Sequence, residues 1–584
     1  MYFCTNFVYM DFNFTPSEYQ QKIFKFFSEG VGNVVINAKA GSSKTTTALK
    51  ALDYIPSDKR VLFLAFNKTI ANEINQKITG LYNVKAWTFH SLGYRILLEH
   101  FNTELDQFKY KTYIQKNAER LSEGAFESMQ FDEKEKYRRN CEDLIDLARY
   151  NKAQSPAEVG AVAEKYGIVC YANEVEAVCE VMKWGRENTS TIDYTDMEWL
   201  PYELNLSTKK YKFDWIIVDE AQDTSPIRQE LFKKCFKRGT RFAAVGDRDQ
   251  TINTWCGSDA SAFDNFLNEK DTIKLDLPIC YRCPKKVIEK LQTLVPDIQA
   301  APWAIEGDVR YDVSQYKAEP GDMVLCRNSA PLSILYSDYI KKNIKAYIKG
   351  SDIGKGLNAL IKSTGAEDVS FDMTKDGIIP RLYKSLLKSL RKIMLTNGVD
   401  LDNAIQTDKF MKLYDSIKTI EILGNGTTDS EYLRARIQSI FTDERGEGIC
   451  LTTVHKAKGL EADNVFILCP SLMPSMLAKK DWEIEAEHNI MYVAWSRAKK
   501  TLNFVSEKTF PLQRCFGDMS SVKTDVLQAN EKMKLLYHKD YITDVLEATG
   551  QTINLANISK NKPEPVRHLK QKKVGANKFK SFLK

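Results

Sequence analysis

Cysteine and histidine are scarce in this chain, with twelve and six among 584 residues. The cysteines are scattered, the only C-x-x-C is Cys280–Cys283, and no histidine stands near cysteines at zinc-binding spacing. Neither a disulfide framework nor a structural zinc is expected, and the chain reads as a reduced, intracellular protein with free thiols. Long apolar runs are missing as well. No stretch of about 18 uninterrupted apolar residues occurs, so a membrane-spanning helix is not expected. The opening MYFCTNFVYMDF lacks a basic n-region and carries Asp11, so it does not read as a signal peptide. One-signed charge is absent from most of the sequence: the net +6 is concentrated in residues 558–584, whose nine Lys/Arg and single acid give +8 and leave −2 for the rest. That balance does not by itself establish nucleic-acid binding. What is present is an ordinary globular composition, 43% apolar and 27% charged. It excludes a disordered chain, and the length suits about four domains.

Short apolar runs recur at residues 34–36, 61–66, 215–218 and 242–245, and again at 323–326, 449–454, 465–468 and 502–505. Several are continuous rather than alternating, which suits strands of a parallel sheet covered on both faces. Helical patterns fall between them, for example at 69–78 and 284–294. Polar helical stretches interrupt each half: 95–205, with helices over 132–152 and 174–186, and 345–440, with helices over 379–395 and 430–441. The expected organisation is therefore α/β, with one sheet-bearing domain formed by 1–94 and 206–280 and a second by 281–344 and 441–510. Residues 95–205 and 345–440 read as helical inserts, the second compact. Residues 511–584 read as an extension ending in a basic, flexible tail.

After the first run comes Asn37-Ala38-Lys39-Ala40-Gly41-Ser42-Ser43-Lys44-Thr45-Thr46-Thr47, then a helix. A small-residue loop entering a helix N-terminus presents backbone N–H groups to phosphates. Lys44 would reach the β- and γ-phosphates, and the Thr45 hydroxyl would ligate Mg²⁺. The pattern departs from GxxxxGK[ST], with Ala38 and Ser43 in the glycine places, so the loop alone is weak evidence. Residues 213–223, FDWIIVDEAQD, supply the context: an apolar strand ending in adjacent carboxylates. Asp219 can hold Mg²⁺ through water and Glu220 can polarise an attacking water. The two motifs in this order indicate a nucleoside triphosphatase.

With these motifs in place, the sequence resembles the UvrD/Rep-like DNA helicases of superfamily 1. Matching motifs run from Gln20 to Arg497, and the Phe66-Asn67-Lys68 and 88–93 TFHSLG forms resemble the branch containing the F-box DNA helicase, without an F-box. The resemblance implies two RecA-like parallel-sheet motor domains, each with an inserted helical domain. It also implies that ATP is bound between the domains by Gln20 on adenine, by the loop residues Ala40, Gly41, Ser42, Ser43, Lys44, Thr45 and Thr46 on phosphate, by Tyr281 on the base and by Glu461 on the ribose. The implied catalytic set is Lys44, Asp219, Glu220, Gln250 as γ-phosphate sensor, Arg282, and Arg497 as an arginine finger in cis; Thr45 and Asp219 hold the metal. Single-stranded DNA would meet Phe66, Asn67, Thr88, Phe89, His90, Trp255, Thr453 and His455. Phe66, Phe89 and Trp255 are also open to a reading as core aromatics. Residues 192–197, IDYTDM, match a family segment at the end of the first insert.

Some positions depart from the family. Lys39 and Ser43 replace loop glycines, Asn253 replaces the usual motif III tyrosine, and Cys256 replaces the arginine after the motif III aromatic. The reading that follows is an ATP- and Mg²⁺-dependent helicase acting on single-stranded DNA and duplex junctions, of 3′→5′ polarity by resemblance, in replication, recombination or repair. It would work in the cytoplasm of a bacterium or phage-infected cell, or in the nucleus if eukaryotic. The rivals are a translocase that strips proteins from DNA and unwinds poorly, and a non-hydrolysing DNA-binding scaffold. The basic tail reads as an attachment for DNA or a protein partner, or as a solubilising segment.

Overall fold

A computed structural model describes residues 15–129, 131–166, 168, 170, 172–252, 261–444, 446–475, 478, 481–511 and 519–548. The chain divides into two units, Met1–Tyr281 and Arg282–Lys584.

The first unit is built on a six-stranded sheet. Its strands are β1 (Asn33–Ala38), β2 (Val61–Ala65), β3 (Val84–Thr88), β4 (Phe213–Val218), β5 (Phe236–Gly246) and β6 (Thr272–Leu277), in the spatial order β3-β2-β4-β5-β1-β6. Every pairing is parallel; in the centre Val35 lies opposite Ala244, and Leu62 opposite Ile216. Alternation along each strand sends side chains to two cores. Val34, Ile36, Phe63, Ala65, Ile217 and Val245 pack with Ile23, Phe24 and Phe27 of helix Glu18–Glu29 on one face. Val35, Leu62, Leu64, Ile216, Val218 and Ala244 pack on the other face against helices Phe89–Leu97, Tyr194–Glu203 and Pro226–Lys233.

The first insert contributes helices Lys109–Leu121, Phe131–Tyr150, Pro156–Lys165 and Ala172–Glu187. Its core is continuous with that second face, so Ile114, Leu144 and Val178 belong to the same apolar cluster as Leu62 and Val218. Arg149 is fully buried and ties the insert to residues 193–196. Its guanidinium donates to Asp193 at 2.9 and 2.7 Å and to Asp196 at 2.8 Å, and Lys109 reaches Asp196 at 2.8 Å. A buried arginine needs such partners, because unpaired charge in this setting costs several kcal/mol.

The second unit carries a seven-stranded sheet. Its strands are β7 (Asp308–Val313), β8 (Met323–Cys326), β9 (Ala346–Lys349), β10 (Phe441–Thr442), β11 (Ile449–Thr453), β12 (Ala462–Ile467) and β13 (Ala498–Val505), in the order β7-β13-β12-β8-β11-β9-β10. All pairings are again parallel. The insert boundary differs from expectation. Residues 346–349, expected within the second insert, form β9 inside the sheet, between β11 and β10. The helices that follow do not make a separate core: Leu386, Leu390, Tyr414 and Ile417 share one cluster with Val324 of β8 and Leu451 of β11.

The extension adds helices ahead of the tail. Residues 519–548 form helices Met519–Tyr537 and Thr543–Ala548, whose Val526, Met533 and Leu546 enter that same core. Polar contacts fasten them to the insert: Lys523–Asp402 at 2.7 Å, Lys418–Asp525 at 2.8 Å, and Arg391 with Asp544. The tail at 558–584 lies outside the described residues. Among the described residues no helix is long and apolar enough to cross a membrane. Cys280 and Cys283 are buried and not joined in a disulfide, and Cys283 Sγ lies 3.5 Å from the Ser496 carbonyl.

Candidate functional site

The site in the first unit follows from strand order. In a parallel sheet all strands end on one edge, and ligands collect outside those ends. β5 lies between β1 and β4, so the loops leaving these three strands are neighbours. β1 delivers the phosphate loop, β4 delivers Asp219 and Glu220, and β5 delivers Gly246 and Asp247.

The loop turns on two residues in the left-handed region, Gly41 (φ 68°) and Ser43 (φ 61°). Glycine adopts it freely, whereas an L side chain such as that of Ser43 costs about 1–2 kcal/mol there. Strain of this kind is characteristic of functional loops. Helix Lys44–Ala51 starts directly after it, with Ser43 at the cap. Ala40 and Ser42 are buried, and the Ser42 hydroxyl oxygen finds no hydrogen-bond partner among the described residues. Gly41, Ser43, Lys44, Thr45 and Thr46 are half-buried and so reachable by a ligand.

The Thr45 hydroxyl donates to an Asp219 carboxylate oxygen at 3.0 Å, and Lys44 Nζ stands 3.4 Å from Glu220 Oε2. Glu220 itself is left-handed (φ 50°), a reversal that lets adjacent acids serve different partners. Gln222 then links two motifs. Its Nε2 donates to Glu220 Oε2 at 2.6 Å, while its Oε1 accepts the Asp247 N–H at 3.0 Å. A Cβ at position 246 would lie 2.3 Å from that same Oε1, so a larger residue there would displace the Gln222 amide. Asp247 in turn accepts from Gln250 Nε2 at 2.7 Å. Burial pushes the carboxyls of Asp219 and Asp247 up to about 6, with Glu220 adding to the effect at Asp219 and Lys44 opposing it at both.

These groups fit a hard divalent cation. Mg²⁺ prefers one or two protein oxygens with waters and substrate phosphates completing its shell, and Thr45 and Asp219 offer a hydroxyl and a carboxylate side by side.

Gln20 is buried in helix Glu18–Glu29. Its Oε1 accepts the Ser17 N–H at 3.0 Å and its Nε2 donates to Thr47 Oγ1 at 2.9 Å. Each end of a glutamine amide can make a second bond, so a donor hydrogen and an acceptor lone pair remain beyond these two contacts. The Tyr281 N–H donates to the Gly41 carbonyl at 2.9 Å, which places that residue against the phosphate loop.

In the second unit, Arg282 donates to Glu461 at 2.7 Å and to the Ser496 carbonyl at 3.2 Å. Arg497 is 2% exposed. It donates to the Val493 carbonyl at 2.8 Å, the Leu460 carbonyl at 3.3 Å and Ser496 Oγ at 2.8 Å. Three of the residues implied for nucleotide are thus gathered around the start of β13 and the loop before β12. Thr453 ends β11 and is buried, and His455 is half-buried two residues on.

The residues that the resemblance implies for DNA separate. Phe66 is half-buried and Asn67 is exposed, its side chain capping helix Lys68–Lys77. Thr88 caps helix Phe89–Leu97 by accepting the Ser91 N–H. His90 lies 3.2 Å from Glu198 and meets Tyr194 edge-on at 6.1 Å. Phe89 is a correction: it is 3% exposed within the apolar core and offers no ring face to a base. Trp255, together with Asn253 and Cys256, lies outside the described residues.

Residue types alone did not reveal the linking role of Gln222 and Asp247, nor the ion pair of Lys39 with Asp249 at 2.6 Å. Nor did they reveal Glu198, which is fully buried and accepts Arg228 at 3.0 Å beneath Phe66 and Phe89. The signals were present as polar residues inside apolar contexts, but the pairings need the fold.

Comparison with known proteins agrees with this geometry. Residues 18–271 match the UvrD/REP helicase N-terminal domain and residues 448–505 the UvrD-like helicase C-terminal domain. The chain is similar to the ATP-dependent DNA helicase PcrA of Staphylococcus epidermidis, at 23% identity covering 82% of this chain and 82% of that protein. The PcrA protein of Staphylococcus aureus is 23% identical, with 81% of this chain and 80% of its own length covered.

Proposed function

We propose that this chain, which belongs to the UvrD/Rep-like superfamily 1 helicases, uses ATP hydrolysis to translocate 3′→5′ on single-stranded DNA and to open duplex junctions. The observation that carries the reading is the convergence of Lys44, Thr45, Asp219 and Glu220 on adjacent strand ends.

Each group then has a task. Loop N–H groups and Lys44 bind the phosphates. Thr45 and Asp219 hold Mg²⁺, which when bound supplies charge stabilisation for the transferred phosphoryl. Glu220, oriented by Gln222, accepts a proton from the attacking water. Gln250, held by Asp247, senses the γ-phosphate. Arg282 and Arg497 supply the planar cations suited to phosphoryl oxygens, and Glu461 takes the ribose hydroxyl. Phe66, Asn67, Thr88, His90 and Trp255 of the first unit, and Thr453 and His455 of the second, each contact single-stranded DNA. The basic segment 558–584 adds phosphate contacts, which would steepen the salt dependence of DNA binding. The pathway class is DNA replication, recombination or repair.

The test is steady-state ATP hydrolysis with and without single-stranded DNA, with Lys44→Ala as control. It is followed by unwinding of duplexes carrying a 3′ or a 5′ tail. Stimulated turnover lost in the variant, with unwinding only from the 3′ tail, is expected. Absence of hydrolysis under both conditions would refute the reading, and unwinding from the 5′ tail would refute the polarity.

A further inference from the structure

Lys39 occupies a place where the family's loop has glycine, and the structure shows what that lysine does. Its backbone is fixed by its N–H donating to the Leu277 carbonyl at 3.0 Å and by its carbonyl accepting the Ser42 N–H at 3.1 Å. Its side chain is 6% exposed and its ammonium stands 2.6 Å from Asp249 Oδ2. Asp249 sits in the turn Arg248–Gln250, directly before the γ-phosphate sensor. Within the turn, Asp247 accepts the Asp249 N–H at 3.2 Å and the Gln250 side chain at 2.7 Å, and Arg248 pairs outward with Asp264 at 3.6 Å. The Lys39–Asp249 pair adds an anchor of another kind, one that ties the turn to the phosphate loop itself.

Resting on the ATPase reading above, we propose that Lys39 is a positioning residue that, through Asp249, sets where Gln250 stands relative to the phosphate loop. A desolvated ammonium needs an acid partner, and a glycine at this position would not. Lys39 and Asp249 thus work as a set in this chain. While the pair stands, the ammonium is neutralised, so Lys39 does not serve as a second phosphate ligand beside Lys44. Nucleotide binding through loop N–H groups is left intact when the pair is broken, whereas the alignment of Gln250 is not.

The experiment compares wild type, Lys39→Met, Asp249→Asn and the double variant in the full chain. It measures kcat and the KM for ATP at saturating single-stranded DNA, with thermal melts alongside. Each single variant is expected to lower kcat about tenfold, less than the roughly 100-fold of a full 1 Å misplacement, with KM changed less than about twofold. The double variant is expected to be no slower than the slower single, because both remove one interaction. Lys39→Arg, which keeps the charge, is expected to recover most of kcat and serves if Lys39→Met melts early. Unchanged kcat in both singles, or losses that multiply in the double, would overturn the proposal. So would a raised KM in Lys39→Met with a lowered KM in Asp249→Asn, which would make Lys39 a phosphate ligand. Wild-type turnover reports separately on the ATPase reading; without it, both fall.

Discussion

Thr45 and Asp219 share a hydrogen bond of 3.0 Å across the ends of β1 and β4, two strands that are not sheet neighbours. The bond joins the two oxygens assigned to the metal. Asp219→Asn keeps an acceptor for Thr45 and removes a buried charge. Hydrolysis is expected to fall more than about 100-fold, beyond the effect of losing an outer-shell partner. The melting temperature should stay level or rise, since the buried carboxylate is held at a cost. Chelating divalent metal should stop wild-type turnover, and added Mg²⁺ should restore it. A variant that is both inactive and less stable would show that Asp219 is a structural residue.

Ser43 bears left-handed strain that glycine would not. The strain costs about 1–2 kcal/mol, and glycine's greater freedom in the unfolded chain takes back about 0.5–1 kcal/mol. Ser43→Gly is therefore expected to stabilise the first unit by about 0.5–1 kcal/mol in a denaturant melt, without raising the KM for ATP.

Phe66 and Phe89 both follow strands of the first sheet and were both expected to meet DNA, yet Phe66 is half-buried and Phe89 is sealed in the core. Phe66→Ala should weaken single-stranded DNA binding by about 1–3 kcal/mol, the value of one stacked base, and leave the melt unchanged. Phe89→Ala should instead cost about 3–5 kcal/mol of stability, as a core aromatic does. Fluorescence anisotropy on a labelled oligonucleotide and a thermal melt, run on both variants, would separate the two effects.

Asp415 reaches from helix Asp408–Gly424 to the start of helix Ser329–Lys341, accepting the N–H groups of Ser329 and Ala330 at 3.2 and 3.0 Å. Burial pushes its carboxyl up to about 6 despite these bonds. The sign is the reverse of an ordinary ion-paired acid. The folded form takes up a proton near pH 6 and the unfolded form only near pH 4, so this group adds stability as pH falls between those values. Between pH 7.5 and 5.5, wild type should gain about 0.8 kcal/mol relative to Asp415→Asn, from the linkage of one such carboxyl. Urea midpoints at the two pH values measure it; a constant difference would show that Asp415 does not titrate in this window.

Much of this was legible in the sequence, for identifiable reasons. Central strands such as β4 and β8 are covered on both faces and read as unbroken apolar runs. The strands missed were β3, β6, β7 and β10 at sheet edges, together with β9 beside β10. In Thr272-Ile273-Lys274-Leu275-Asp276-Leu277 of β6, the polar residues face solvent and conceal the strand. Lys44, Asp219 and Glu220 were readable because each lies in a local motif. Gln222 and the Lys39–Asp249 pair were not, because their partners come from other strands. Phe89 could not be told from Phe66 by type, since burial is decided by helices 194–203 and 226–233 arriving from far along the chain.

The helices after residue 518 carry a consequence for how the protein can be trimmed. A chain cut after β13 would keep every motif from Gln20 to Arg497. It would nevertheless strip Val526, Met533 and Leu546 from the apolar cluster they share with the second sheet. Such a fragment would behave as a damaged fold rather than as a minimal motor, exposing greasy surface to proteases and to other chains. A trim that spares this cluster has to fall beyond Leu546, well past the last catalytic motif.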